Sequence, residues 1–199
     1  MPHVDPLPRD ANPEFVEKFN HYENTRGFIP NSILTMQRRP NIAKAFMEMN
    51  QAVLYEGTVP TELKMLVSLM ASYAGGCLYC QSHMTNLSTI YQASDEKIAA
   101  IWDFEKSEVF SDAERAALTL ARNAAVSPNA VSAEDFDNLR QYFNDAEIVE
   151  IVAAISLFGY LNRWNDTMAT ELETLPAGVA EDTLGETFSW TVGKHAATD

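Results

Sequence analysis

Cysteine occurs twice in this 199-residue chain, at Cys77 and Cys80, and His83 follows three places after the second. Two thiols at that spacing on a helix share a face and approach closely enough to close a disulfide. Three kinds of chemistry fit the pattern. They are a redox-active dithiol, one arm of a metal clip, and two buried thiols packing as small hydrophobes. Cys80 and His83 are also three apart, so the imidazole can hydrogen-bond the sulfur or move a proton beside it. The remaining histidines are weaker candidates: His3 and His195 fall near the ends, and His21 lies on a polar helix.

The elements that must position these groups read as helices. In "PTELKMLVSLMASYAGG" (60–76), Leu63, Leu66, Val67, Met70 and Ala74 recur with the period of a buried helical face. Pro60 suits the start of that helix, and Gly75–Gly76 stops it. A new helix then begins at or near Cys77, with Cys80, Met84, Leu87 and Tyr91 on one side. The unpaired N–H groups of its first turn, together with the helix dipole, favour an anion, so the spacing predicts thiols of lowered pKa. Glu62 opens the preceding helix. It reaches the histidine only if the ends of the two helices meet, and otherwise it is an acid favoured by the dipole of a first turn. Cys77, Cys80, His83 and Glu62 together are also of acceptable type for zinc, although structural zinc sites usually pair two knuckles and only one is present.

Helical spacing extends through most of the chain. Short helices are expected at 13–27, closed by Gly27, and at 31–40, with another over 41–57. Later helices open with the capping boxes Ser111-x-x-Glu114 and Ser132-x-x-Asp135, and a long apolar helix runs from Asp145. No alternating run reads as a strand. From Thr174 onward, proline and repeated glycine and alanine predict an arm, whose Phe188 and Trp190 need a surface such as a neighbouring subunit. The expected organisation is one all-helical domain, 1–173, with amino-terminal helices over 1–57 and a core over 58–173, followed by the arm at 174–199. A shift of 85 places aligns residues 62–80 with 147–165. It sets Cys77 and Cys80 against Asn162 and Asn165, as if a helix pair were used twice.

Composition excludes several classes. A net charge of −14, with 14 basic residues among 28 acidic ones, argues against nucleic acid and against an anionic membrane surface. No apolar run approaches the roughly 20 residues that span a bilayer. The first residues lack the basic patch and apolar segment of a signal peptide, so a cytoplasmic protein is expected. In reducing cytosol a CxxC is more often catalytic or metal-binding than a structural disulfide.

"LKMLVSLMASYAGGCLYCQSHMTNL" resembles the core motif of the carboxymuconolactone decarboxylase family in its alkylhydroperoxidase D (AhpD)-like branch. "FSDAERAALTLARNAA" and "EIVEIVAAISLFGYLNRWNDTMATELE" resemble its longer peroxidase-related members. The resemblance spans roughly residues 55–173. It implies an all-α, AhpD-like bundle built from a repeated helical unit, assembled as a homo-oligomer, and a thiol-dependent peroxidase acting on organic hydroperoxides without a cofactor. By the same carry-over, Cys80 is the peroxidatic cysteine and Cys77 the resolving one, His83 and Glu62 belong to the proton relay, and a dithiol reductant or redox protein restores the thiols. The chain departs from the family pattern at Tyr79, which stands in place of a histidine between the cysteines. His83 falls one place early, and Glu62 lies about one turn further from the cysteines than the usual glutamate. The alternatives are thiol–disulfide exchange and a non-catalytic helical protein that senses oxidants or holds zinc.

Overall fold

The computed structural model describes residues 1–197, with the backbone alone over 186–188. Ten α-helices occur among the described residues: α1 (Val16–Arg26), α2 (Asn31–Met36), α3 (Pro40–Tyr55), α4 (Thr61–Ala74), α5 (Leu78–Ile90), α6 (Asp95–Ala99), α7 (Asp112–Ala125), α8 (Ala133–Leu139), α9 (Asp145–Met168) and α10 (Thr174–Phe188). Short 3₁₀ turns lie at Pro13–Phe15, Ile101–Asp103 and Gly193–His195, and no strand is found among the described residues. None of these helices is long and apolar enough to cross a membrane.

Helix α4 is the centre of the bundle and packs against α5, α7 and α9. The sequence pattern gives it one apolar face, but burial runs around nearly its whole circumference, including Met65, Leu69 and Ala71. Its polar residues are satisfied internally. Ser68 and Ser72 donate to the carbonyls of Lys64 and Ser68, at 2.7 and 2.8 Å. The buried Lys64 ammonium lies 2.8 Å from Glu150 of α9 and donates to the Glu56 carbonyl.

Both anticipated capping boxes form, Ser111 with Glu114 and Ser132 with Asp135, and a third, Asn144 with Glu147, starts α9. Pro40 occupies the first turn of α3 rather than ending α2. That position suits proline because its missing N–H has no partner there to lose.

Two expectations are corrected. The segment after Thr174 is not an arm: α10 packs along α5, with Ala180 and Leu184 fully buried. Pro176 is compatible with this helix because it falls in the first turn. Trp190 is buried against its own chain rather than waiting for a neighbouring subunit. Phe188 lies outside the residues whose side chains are described. The second correction concerns the repeat. The 85-place shift sets α4 on the first half of α9, and these two helices do pack together. However, α9 continues unbroken through Gly159 where α4 stops at Gly75–Gly76, so the helix pair is not reproduced. A single glycine in helical conformation does not terminate a helix; a glycine with left-handed φ does.

Candidate active site

The break between α4 and α5 sets the site. Gly76 has φ 73°, a conformation that costs an L side chain about 1–2 kcal/mol. Gly75 lies against Asn162 of α9, where an added Cβ would come within 2.7 Å of the amide nitrogen. The turn delivers Cys77 as the cap of α5, and its sulfur accepts a hydrogen bond from the Cys80 N–H at 3.3 Å. Both cysteines are free thiols and both are buried.

The Cys80 sulfur accepts a hydrogen bond from Asn165 Nδ2 at 3.4 Å, across the interface between α5 and α9. Cys80 faces a cavity of about 40 Å³, and Tyr79, His83, Met84, Phe158 and Asn165 contribute to its walls. This is room for a water or two. Cys77 is not among its lining residues. Burial pushes the Cys80 thiol well above its ordinary value, and the hydrogen bond and charge of Cys77 push the same way. The Asn165 amide partly opposes them. The expectation of a lowered thiol pKa is therefore corrected for Cys80, because loss of solvent outweighs the helix dipole.

A thiol held in its neutral form needs a base. His83 shares the cavity, and its Nε2 lies 2.6 Å from Glu173 Oε2. Glu173 caps α10 from the far end of the chain. Its other oxygen accepts hydrogen bonds from the Tyr79 hydroxyl, at 2.9 Å, and from the Asn31 amide. Burial pushes the Glu173 carboxyl up, but the charge and hydrogen bond of His83 and the Asn31 N–H outweigh it and hold the group below its usual value. When His83 gives up one proton, the ionised Glu173 keeps the other on Nε2, and Nδ1 is the nitrogen free to accept a proton. Tyr79 stacks on the imidazole at 4.3 Å between ring centroids, and Phe28 meets its edge at 5.3 Å. Burial, then the Glu173 charge, keep the Tyr79 hydroxyl protonated and so a donor.

Cys77, Cys80 and His83 are thus brought together, and Glu62 is not. Glu62 stands at the opposite end of α4, roughly 20 Å along the helix axis from Gly75. It pairs with Lys97 at 2.8 Å, and Lys97 also binds Glu114. That network joins α4, α6 and α7, and it rules out a zinc set of Cys77, Cys80, His83 and Glu62. Among the aromatics of these helices, Tyr79 lines the cavity, whereas Tyr73 packs on Trp102 and Trp164 on Tyr160. The sequence reading missed Glu173, Asn165, Asp166 and His195. Only Asn165 left a signal, since the 85-place shift sets it opposite Cys80, the residue it touches.

Residues 40–123 match the carboxymuconolactone decarboxylase family. Crystal structures of the debrominase Bmp8 superpose with a TM-score of 0.85 at 35% identity over 90% of this chain and 96% of that one. The chain belongs to the carboxymuconolactone decarboxylase family, with the AhpD-like fold. One of the Bmp8 structures is a cysteine-to-alanine variant in complex with 2,3,4-tribromopyrrole. An AhpD-core, peroxidase-related protein of Ralstonia eutropha JMP134 shares the fold at a TM-score of 0.78, with 24% identity over 88% of this chain and 95% of that one. The uncharacterised protein YnjA of Escherichia coli (strain K12) is 29% identical over 106 residues, which is 53% of this chain and 58% of YnjA. The chain therefore spans just over half the length of that curated relative.

Proposed function

We infer that the protein is a thiol-dependent oxidoreductase that reduces a small organic hydroperoxide through a dithiol/disulfide cycle. The observation that carries this reading is the asymmetry of the thiols: Cys80, not Cys77, opens with His83 onto the apolar cavity. His83, backed by Glu173, takes the Cys80 proton, and the thiolate attacks the terminal oxygen of the peroxide. The O–O bond breaks, the departing alkoxide takes the proton from the imidazolium, and Cys80 is left as a sulfenic acid. Cys77 displaces water from it to close the disulfide, and an external dithiol returns both thiols. Only the peroxide oxygens need to reach the sulfur, which suits a cavity of this size.

A second reading is favoured by the likeness to Bmp8 along nearly the whole of both chains. In it the same two thiols supply two electrons to a halogenated aromatic ring. The carbon–halogen bond becomes carbon–hydrogen, halide leaves, and the disulfide forms. The same His83–Glu173 pair supplies the ring proton.

Parallel assays decide between the two. Cumene hydroperoxide consumption and bromide release from 2,3,4-tribromopyrrole are measured with dithiothreitol for the wild type and for Cys80→Ser. The proposal expects Cys80-dependent peroxide consumption. Bromide release without it selects the second reading, and neither activity above the Cys80→Ser background overturns both.

A further inference from the structure

Cys77 has a histidine and an acid of its own. A ring nitrogen of His195, a carboxylate oxygen of Asp166 and the Cys77 sulfur all lie within 4.8 Å of one another. His195 is fully buried although only four residues follow it in the sequence. The 3₁₀ turn Gly193–His195 carries it, and its carbonyl is tied to the Leu172 N–H at 2.9 Å.

The hydrogen bonds decide which nitrogen is basic. His195 Nδ1 lies 2.7 Å from the Thr170 carbonyl, which can only accept, so Nδ1 carries the proton. Nε2 then presents a lone pair on the side of Asp166, whose Oδ1 is 3.4 Å away. Burial lowers the His195 pKa from its ordinary 6.5, and the Thr170 and Asp166 contacts only partly offset that. The ring is therefore neutral at pH 7. Asp166 from α9 and Lys194 from the same turn are the charged groups around it, and they pair with each other at 3.1 Å. The Tyr79 ring of α5 lies 5.7 Å from the imidazole, between the two histidines.

We propose that His195, oriented by Thr170, is the general base that deprotonates Cys77 for the resolving step, with the Asp166 carboxylate beside Nε2 stabilising the imidazolium that forms. The proposal rests on the assignment of Cys80 as attacking thiol and Cys77 as resolving thiol. His195 Nε2 takes the Cys77 proton, and the Cys77 thiolate attacks the Cys80 sulfur. The bond from that sulfur to its leaving group breaks as the disulfide forms. With a sulfenic acid the leaving group departs as hydroxide and takes up the proton from the imidazolium, giving water. Cys77 sulfur is oxidised by one electron equivalent and Cys80 sulfur is reduced by one. Each cysteine thus has its own base on a different element, so attack and resolution are tuned separately.

The test uses a leaving group that does not depend on the physiological substrate. Methyl methanethiosulfonate converts an attacking Cys80 thiolate to a methyl disulfide, which Cys77 resolves with release of methanethiol. Rapid acid quench and mass spectrometry follow that adduct in the wild type, His195→Gln, Asp166→Asn and Cys77→Ser. His195→Gln is expected to form the adduct at the wild-type rate but to lengthen its lifetime about 10²-fold. The wild-type resolution rate should reach a plateau at a pH below 6.5, the ordinary histidine value, whereas the variant rate should climb steadily through neutrality. Asp166→Asn, which keeps the imidazole, should be slowed less, and it serves if His195→Gln does not fold. An unchanged adduct lifetime and pH profile in both variants overturns the proposal. So does one zinc per chain in purified wild type that is lost in His195→Gln. An adduct on Cys77 in place of Cys80 overturns the underlying assignment of the two thiols, a failure distinct from that of the base.

Discussion

Cys80 and Cys77 lie one helical turn apart, and their surroundings differ in ways that match two different tasks. Cys80 faces an apolar cavity, with His83 on its own helix and Glu173 reaching that histidine from the start of α10. Cys77 is sealed at the cap of α5, away from the cavity, and meets His195 from the last turn of the chain and Asp166 from α9. The first thiol borders a space that can hold a small group, and the second does not border it. At His83 the carboxylate stands behind the imidazole, whereas Asp166 lies within 4.8 Å of both the Cys77 sulfur and a His195 ring nitrogen, where its charge opposes the thiolate and favours the imidazolium. Coulombic influence from Asp166 does raise the Cys80 pKa, and Asn165 supplies the compensating hydrogen bond.

The bluntest way to break this comparison is to remove the cavity-facing thiol. Cys80→Ser should lower turnover by at least about 10³-fold whichever substrate is correct, since no other group near the cavity is a comparable nucleophile. Steady-state peroxide consumption with a dithiol reports it, and a variant retaining more than a tenth of wild-type activity would contradict the division of labour.

Next comes the relay of the first thiol. Glu173→Gln leaves the shape of the site but removes the charge behind His83. It is expected to slow Cys80 oxidation roughly 10²-fold, with His83→Gln equal or worse. Single-turnover kinetics should place the loss in adduct formation, in contrast to the loss in resolution expected of His195→Gln. Because the Glu173 pKa is lowered from 4.5 in the folded protein, its charge is complete above that value. The stability it contributes, and the relay, are lost only as pH falls through the lower folded value.

A pH titration sharpens the comparison further. Thiolate absorbance at 240 nm should show Cys80 ionising above pH 9, its ordinary value, because burial holds it neutral. Asn165→Ala should move that ionisation higher, and Cys77→Ser should move it lower. The sign for stability follows. The unfolded chain loses this proton first, so the contribution of the buried neutral thiol is intact below pH 9 and declines as pH rises above it.

The smallest effect is expected at Glu62. Its pairing with Lys97 is partly exposed and far from the thiols, so Glu62→Gln should cost about 0–1 kcal/mol in denaturant unfolding. Peroxide consumption by that variant should stay within twofold of wild type. A large loss of activity would return Glu62 to the relay.

These contrasts also mark what could be read from the chain alone. The all-helical fold, the two serine capping boxes and the Gly75–Gly76 break were legible because each is local: periodicity, caps and a backbone stop act within a few residues. The CxxC and His83 were legible for the same reason. Glu173, Asn165, Asp166 and His195 were not, because they reach the thiols only through the packing of α9, α10 and the last turn on α5. Glu62 entered the relay by carry-over from the resemblance, one turn further from the cysteines than the family's glutamate, and a straight helix carries it away from the site it precedes. The segment after Thr174 looked like an arm because proline and glycine lower helix propensity. Burial of Ala180 and Leu184 against α5 overrides that preference, and with it the histidine dismissed as terminal enters the site.

The central claim is that Cys80 attacks and Cys77 resolves. Cys77→Ser, treated with one equivalent of cumene hydroperoxide and then dimedone, isolates it, and the site of modification is read by peptide mass spectrometry. The account predicts one dimedone adduct on Cys80 in this variant, none in Cys80→Ser, and an internal disulfide without adduct in the wild type. A dimedone adduct on Cys77 in Cys80→Ser, with Cys80 unmodified in Cys77→Ser, would reverse the roles of the two thiols and contradict the account.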